Sequence, residues 1–180
     1  MPQPIHKIGG SFETAPKILL KRSKLAVLIG AIACEWAYIE DCLLNIFDSA
    51  HSPNAGVFHA RNPVALAIFD TVTAYNAKID LVETVLRLCV PSTADGFTSM
   101  KGELRKAYSA RNQVVHTSWN IGADFPEDLI LLELDGKAVR YTEKDFLDIL
   151  ERISVVRIWA HDFQIAVAHA QKVKPTSPTP

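Results

Sequence analysis

The chain has 180 residues, 48% of them hydrophobic and 22% charged, with a formal net charge of −1. That length suffices for one domain with a sizeable core, and the composition is that of a soluble globular protein, not of a disordered or fibrous one. The charge balance excludes a global electrostatic pull toward nucleic acid or membrane, so any RNA contact must come from a local patch.

Residues 1–15 contain Pro2, Pro4, Gly9 and Gly10 and read as a flexible or loosely docked N-terminal arm. Met1-Pro2-Gln3-Pro4 lacks the charged-then-apolar order expected of a secretory signal. A first long helix is expected from about Pro16 to Ala50. Pro16 is tolerated at a helix start, and Leu25, Leu28, Ile29, Ile32, Trp36, Ile39 and Leu43 recur at three–four spacing. The longest apolar run, Leu25 to Cys34, stops at Glu35. A bilayer needs about 20 apolar residues, so no membrane span is expected.

His51-Ser52-Pro53-Asn54-Ala55-Gly56 ends that helix. The second is expected to start at Asn62-Pro63, with Asn as cap and Pro in the first turn, and to end at Val90-Pro91-Ser92-Thr93. The third covers about Ala94 to Thr117. The period then changes. Leu129–Leu134, Asp135-Gly136 and Lys137–Tyr141 read as a β-hairpin, Asp-Gly suiting a turn with positive φ at both central positions. Thr142, with Asp145 three residues on, caps a last helix that fades near Lys172. The tail, 173–180, holds Pro175, Pro178 and Pro180 and is expected to be disordered. The expected fold is therefore all-α: an antiparallel up-and-down helical bundle over residues 16–172, with a small hairpin at about 128–141 between the last two long helices.

Chemistry concentrates near the end of the third helix, in Arg111-Asn112-Gln113-Val114-Val115-His116. Asn112 and His116 are four residues apart and share a helix face, and Arg111 lies about 100° round from Asn112. A guanidinium, an amide and an imidazole on one rim suit a phosphate. Arg forks to its oxygens, and His moves protons near neutral pH. Arg111, Asn112 and His116 are the candidate catalytic residues. Lys101, Arg105 and Tyr108 precede them along the same stripe and are candidates for guiding an RNA backbone, Tyr108 by stacking. The plainer alternatives are a charge-satisfied Arg111, a His116 that caps a helix C-terminus, and a solvated face for the other three.

Arg111 and His116, separated by four residues, resemble the Arg-x4-His motif of the HEPN superfamily, small helical domains many of which are metal-independent ribonucleases. Thr117-Ser118-Trp119 and the flanking long helices fit that resemblance. The position after His116, often small in that family, is Thr117 here. The resemblance implies a cytoplasmic endoribonuclease that works through 2′-OH attack, without cofactor. It also implies a homodimer in which two motifs face each other, since one His per chain leaves the reaction one acid/base group short. RNA and an antitoxin protein would be its partners, in a toxin–antitoxin or phage-defence setting. The rival reading is a non-catalytic binding or dimerisation module of the same fold, holding a protein or nucleotide.

No other motif competes. There is no Glu-x-x-His pair, His-Glu-x-x-His, Cys-x-x-Cys, glycine-rich phosphate loop or Gly-x-Ser-x-Gly elbow, so no metal or cofactor is expected. Cys34, Cys42 and Cys89 are odd in number and widely spaced, and read as small hydrophobes in a reducing compartment.

Overall fold

The computed structural model describes residues 2–5, 12–14, 17–52, 61–132 and 137–172. The chain divides into two compact units, one formed by residues 1–36 and 109–154, the other by residues 37–108 and 155–180.

The first unit carries an antiparallel sheet. Its strands are β1 (Gln3–Ile5), β2 (Phe12–Glu13), β3 (Trp119–Gly122), β4 (Phe125–Leu132) and β5 (Ala138–Tyr141), in the order β1-β5-β4-β3-β2. The expected hairpin is the β4–β5 pair, with Leu129 opposite Tyr141 and Leu132 opposite Ala138. Its Asp135-Gly136 turn lies outside the described residues. The sheet is larger than the sequence suggests, so a purely helical class is corrected to a mostly helical fold with a small sheet. Gly122 pairs with Phe125 across a two-residue turn, which adds β3. Part of the segment read as a loose arm forms both sheet edges: Gln3–Ile5 pairs with Ala138–Arg140, and Phe12 and Glu13 pair with Gly122 and Ile121. Edge pairing needs only backbone groups on one side, so proline at positions 2 and 4 is compatible with it.

Three aromatic rings lock this sheet to the start of a helix. Trp119 meets Tyr141 at 5.1 Å and Phe146 at 5.3 Å, both edge-on, and Tyr141 lies 5.7 Å from Phe146. Edge-to-face pairs add about 0.5–1.5 kcal/mol each beyond burial. Phe146 belongs to α5 (Glu143–Lys172), whose first turn is fixed by Thr142. The Thr142 N–H and hydroxyl both donate to Asp145 Oδ2, and the Asp145 N–H returns to the Thr142 hydroxyl. This reciprocal cap is the one expected from the sequence.

The second unit is helical. It contains α2 (Pro63–Thr71), α3 (Tyr75–Cys89) and parts of α1 (Ser23–His51), α4 (Pro91–Val115) and α5. The first long helix starts later than expected, after a 3-10 turn at Ile18–Lys21. Pro16, its expected first residue, lies outside the described residues. The expected second helix is two. Asn62 caps α2 by accepting from the Val64 N–H, but the β-branched run Thr71-Val72-Thr73 interrupts it. Val72 is extended, and the Thr71 hydroxyl donates to the Ile68 carbonyl in place of a backbone N–H. Pro91 does not delay α4 but occupies its first position, where it needs no donor.

Helix directions follow from paired contacts. Tyr75–Tyr108, Asp80–Arg105, Glu83–Lys101 and Arg87–Thr98 run in opposite sequence order, so α3 and α4 are antiparallel. Tyr38–His161, Asn45–Gln164 and Ala50–Gln171 advance together, so α1 and α5 run the same way within this unit. The core of the unit includes Ile39, Leu43, Ile46, Ile79, Val82, Leu86, Phe97 and Leu104, each fully buried.

Candidate active site at the end of α4

The buried positions of α4 are Ala94, Phe97, Met100, Leu104, Ala107 and Val114. Their three–four spacing places Arg111 on the same stripe, where an apolar residue would continue it. Arg111 is accordingly half-buried, as is Asn112, whereas His116 is exposed. The inward valine is Val114, and Val115 is half-buried.

The sequence-identified trio is assembled. Arg111 Nη1 donates to Asn112 Oδ1 at 3.0 Å and also makes a short contact with His116 Nε2. A guanidinium can only donate, so Nε2 accepts and the neutral ring carries its proton on Nδ1. Both bonds leave from one nitrogen, and neither goes to a carboxylate. Arg111 Nε is buried without a hydrogen-bond partner among the described residues. Much of a five-donor fork is thus held in place and uncommitted.

What fixes the trio is the way α4 ends. The last carbonyls of a helix lack intrahelical partners. Here the His116 N–H donates to the Asn112 carbonyl at 3.1 Å, the Thr117 hydroxyl donates to the Gln113 carbonyl, and the Trp119 indole N–H donates to the Val114 carbonyl at 3.1 Å. Trp119 is 5% exposed and belongs to the aromatic cluster, so its indole ties the helix end to the sheet. Asn120, also buried, donates to the Ser118 and Ile130 carbonyls at 3.2 Å each and fixes the turn that follows. Trp119 and Asn120 are positioning residues that the sequence reading did not single out. The signal was available: a tryptophan three residues beyond a helix-end histidine, followed by a short apolar strand.

Lys101, Arg105 and Tyr108 are placed differently. Lys101 Nζ lies 2.5 Å from Asp80 and 2.6 Å from Glu83, and Arg105 lies 2.9 Å from Asp80. Glu83 also accepts from Arg87 at 2.8 Å and from the Thr98 hydroxyl at 2.9 Å. Bonds from Lys101, then Arg87 and Thr98, hold the Glu83 carboxyl down at about 2, and bonds to Asp80 and Glu83 push Lys101 up. Tyr108 stacks on Tyr75, ring centroids 4.3 Å apart and planes 22° from parallel. All three side chains are engaged with α3, and the two cations meet carboxylates there.

Among the described residues, no three His, Cys, Asp or Glu side chains converge as a metal site would require, and no helix is long and apolar enough to cross a membrane. Neither a family model, nor a curated protein, nor a solved structure matches the chain.

Proposed function

We propose that the protein is a metal-independent endoribonuclease of HEPN type, acting in the cytoplasm on RNA as a symmetric homodimer, as the toxin half of a toxin–antitoxin or phage-defence pair. The long helices match that family only as a helical class, because α1 and α5 run the same way and not antiparallel as an up-and-down bundle would have them. The observation that carries it is the bonded trio: a half-buried Arg111 whose fork reaches Asn112 and His116.

The chemistry follows from those groups. A scissile phosphate entering beside Arg111 takes the free edge of the guanidinium, and its negative oxygens compete for the N–H now given to His116. That exchange frees the Nε2 lone pair to accept the 2′-OH proton. The 2′-oxygen attacks phosphorus, the bond to the 5′-oxygen breaks, and charge on the non-bridging oxygens is met by Arg111 and the Asn112 amide. The leaving 5′-oxygen takes its proton from His116 of the partner subunit, which enters the step as the imidazolium, so one proton is taken up and one given up and the two rings exchange roles. The products are a 2′,3′-cyclic phosphate and a 5′-hydroxyl.

One observation favours the rival, non-catalytic reading. Lys101 and Arg105 already face Asp80 and Glu83, which leaves less basic surface for an RNA strand. Cleavage of a mixed RNA pool in EDTA separates the two. His116→Ala should lower turnover by about 10²–10⁴-fold, the usual worth of a general acid–base group. Equal activity in wild type and variant would sink the assignment. No cleavage by wild type, with any antitoxin removed, would leave the binding module.

A further inference from the structure

Within the helical unit, α5 carries two apolar faces. One is core: Val156, Ala160 and Val167 are buried. The other is open. Val155, Ile158 and Trp159 are 42%, 48% and 46% exposed, and with Phe163 and Ala166 they recur at three–four spacing over about 16 Å of helix. A surface helix needs one such face for its core. Large apolar side chains exposed singly are ordinary, whereas a contiguous group of them marks an interaction surface.

Between this face and α4 lies a groove of about 480 Å³. Gly96, Ser99 and Met100 form its α4 wall, and Trp159, Phe163 and Ala166 its α5 wall. Gly96 keeps the α4 wall low: a Cβ there would stand 3.3 Å from Phe163 Cε2. Among the described residues the lining holds one charge, that of Asp162. Asp95, one turn before Ser99 on the same helix face, adds a second carboxylate beside the groove. Both are exposed, and neither carboxylate has an ion pair or hydrogen bond among the described residues. Length and charge together select the occupant. The apolar strip matches about three turns of a helix laid along it. An isologous contact with a second copy would bury Asp95 and Asp162 twice over, with no cation in either groove to meet them. A helix that carries lysine or arginine beside its apolar anchors satisfies both features.

We infer that this groove seats a basic amphipathic helix of a partner protein. Apolar side chains of that helix, three or four residues apart, lie on Val155, Trp159 and Phe163, and a lysine or arginine on its flank meets Asp162. The groove shares no residue with the Arg111–Asn112–His116 trio, so the inference stands independently of the ribonuclease reading.

The test is calorimetric titration of the full chain with synthetic helical peptides at fixed ionic strength. The first peptide carries leucine at positions i, i+4, i+7 and i+11 and lysine on its flanks. A second replaces the lysines by glutamate, and a third scrambles the first. Saturable binding is expected for the leucine–lysine peptide, about tenfold or more tighter than for the other two. Trp159→Ser should weaken it about thirtyfold or more, as for loss of an aromatic anchor. Asp162→Lys should reverse the preference and favour the glutamate peptide. Both side chains are exposed, so both variants should fold, and His116→Ala should bind like wild type. Absence of saturable binding, equal affinity for the lysine and glutamate peptides, or a preference unmoved by Asp162→Lys would each overturn the inference. So would sedimentation in which Trp159→Ser turns a dimer into a monomer, since the face would then belong to a second copy.

Discussion

Two polar stretches of α4 make opposite use of arginine and lysine. Around Lys101 and Arg105 the cations face carboxylates of α3, a half-exposed ladder that fixes the pairing of two helices. At the end of the helix, Arg111 meets an amide and an imidazole, and one of its nitrogens is buried without a hydrogen-bond partner among the described residues. Paired charges lower their own reactivity, because the field that would act on a substrate is already neutralised. Charge held by neutral groups keeps its field. Fewer than two turns of one helix, from Arg105 to Arg111, therefore separate a stabilising device from a chemically poised one.

The sharpest way to break the poised end is to remove what holds it. Trp119→Ala takes away a buried ring, two edge-on partners and the donor to the Val114 carbonyl. A cost of about 3–5 kcal/mol is expected from the cavity alone. Urea unfolding should show it, with RNA cleavage lost in the same variant although no trio residue is touched. A stable Trp119→Ala protein with full activity would mean that the helix end positions itself.

Arg111→Lys is the next largest. Lys keeps the charge but cannot offer a planar fork, so the bonds to Asn112 and His116 and the grip on phosphate are not all remade. Turnover should fall by about 10²-fold or more, as for loss of an oxyanion donor, with a stability change within about 1 kcal/mol. Wild-type turnover in this variant would show that only the charge matters.

The two stretches were not equally legible in the sequence. Arg111, Asn112 and His116 could be grouped because helix geometry alone brings positions i, i+1 and i+5 to one rim. The same geometry grouped Lys101, Arg105 and Tyr108 but could not show that Asp80, Glu83 and Tyr75 on another helix face them, since pairing between helices is a tertiary fact. The sheet was half legible for a related reason. The β4–β5 hairpin announces itself by a short apolar run ahead of Asp-Gly, whereas Gln3–Ile5 and Phe12–Glu13 are too short to have a period and become strands only by adding to an existing edge. The split of α2 from α3 rests on three residues, Thr71-Val72-Thr73, whose branching is a weak signal inside a long apolar stripe.

The ladder should reveal itself in acid. The Glu83 carboxyl, at about 2 in the folded protein against an ordinary 4.5, stabilises the fold fully above the unfolded value and progressively less as pH falls through the folded one. Glu83→Gln should therefore be less stable than wild type at neutral pH, on the order of 1 kcal/mol for a largely surface network. The difference should vanish toward the acid end of the range. A difference that persists unchanged at the lowest pH would assign it to packing and not to charge.

The smallest effect is expected at Arg105, and it decides what the ladder is for. Its pair with Asp80 is exposed, 44% and 51% for the two side chains, so truncation to alanine should change stability by no more than about 0.5 kcal/mol. The informative readout is RNA binding against salt concentration. A residue that neutralises a phosphate releases about one counterion, so its loss flattens the salt slope by about one unit. A residue whose charge Asp80 already meets releases none. We expect the slope of Arg105→Ala to match wild type, and that of Arg111→Ala to flatten. The reverse result, a flattened slope in Arg105→Ala, would mean that RNA displaces Asp80 and that the ladder opens into a binding track leading to His116.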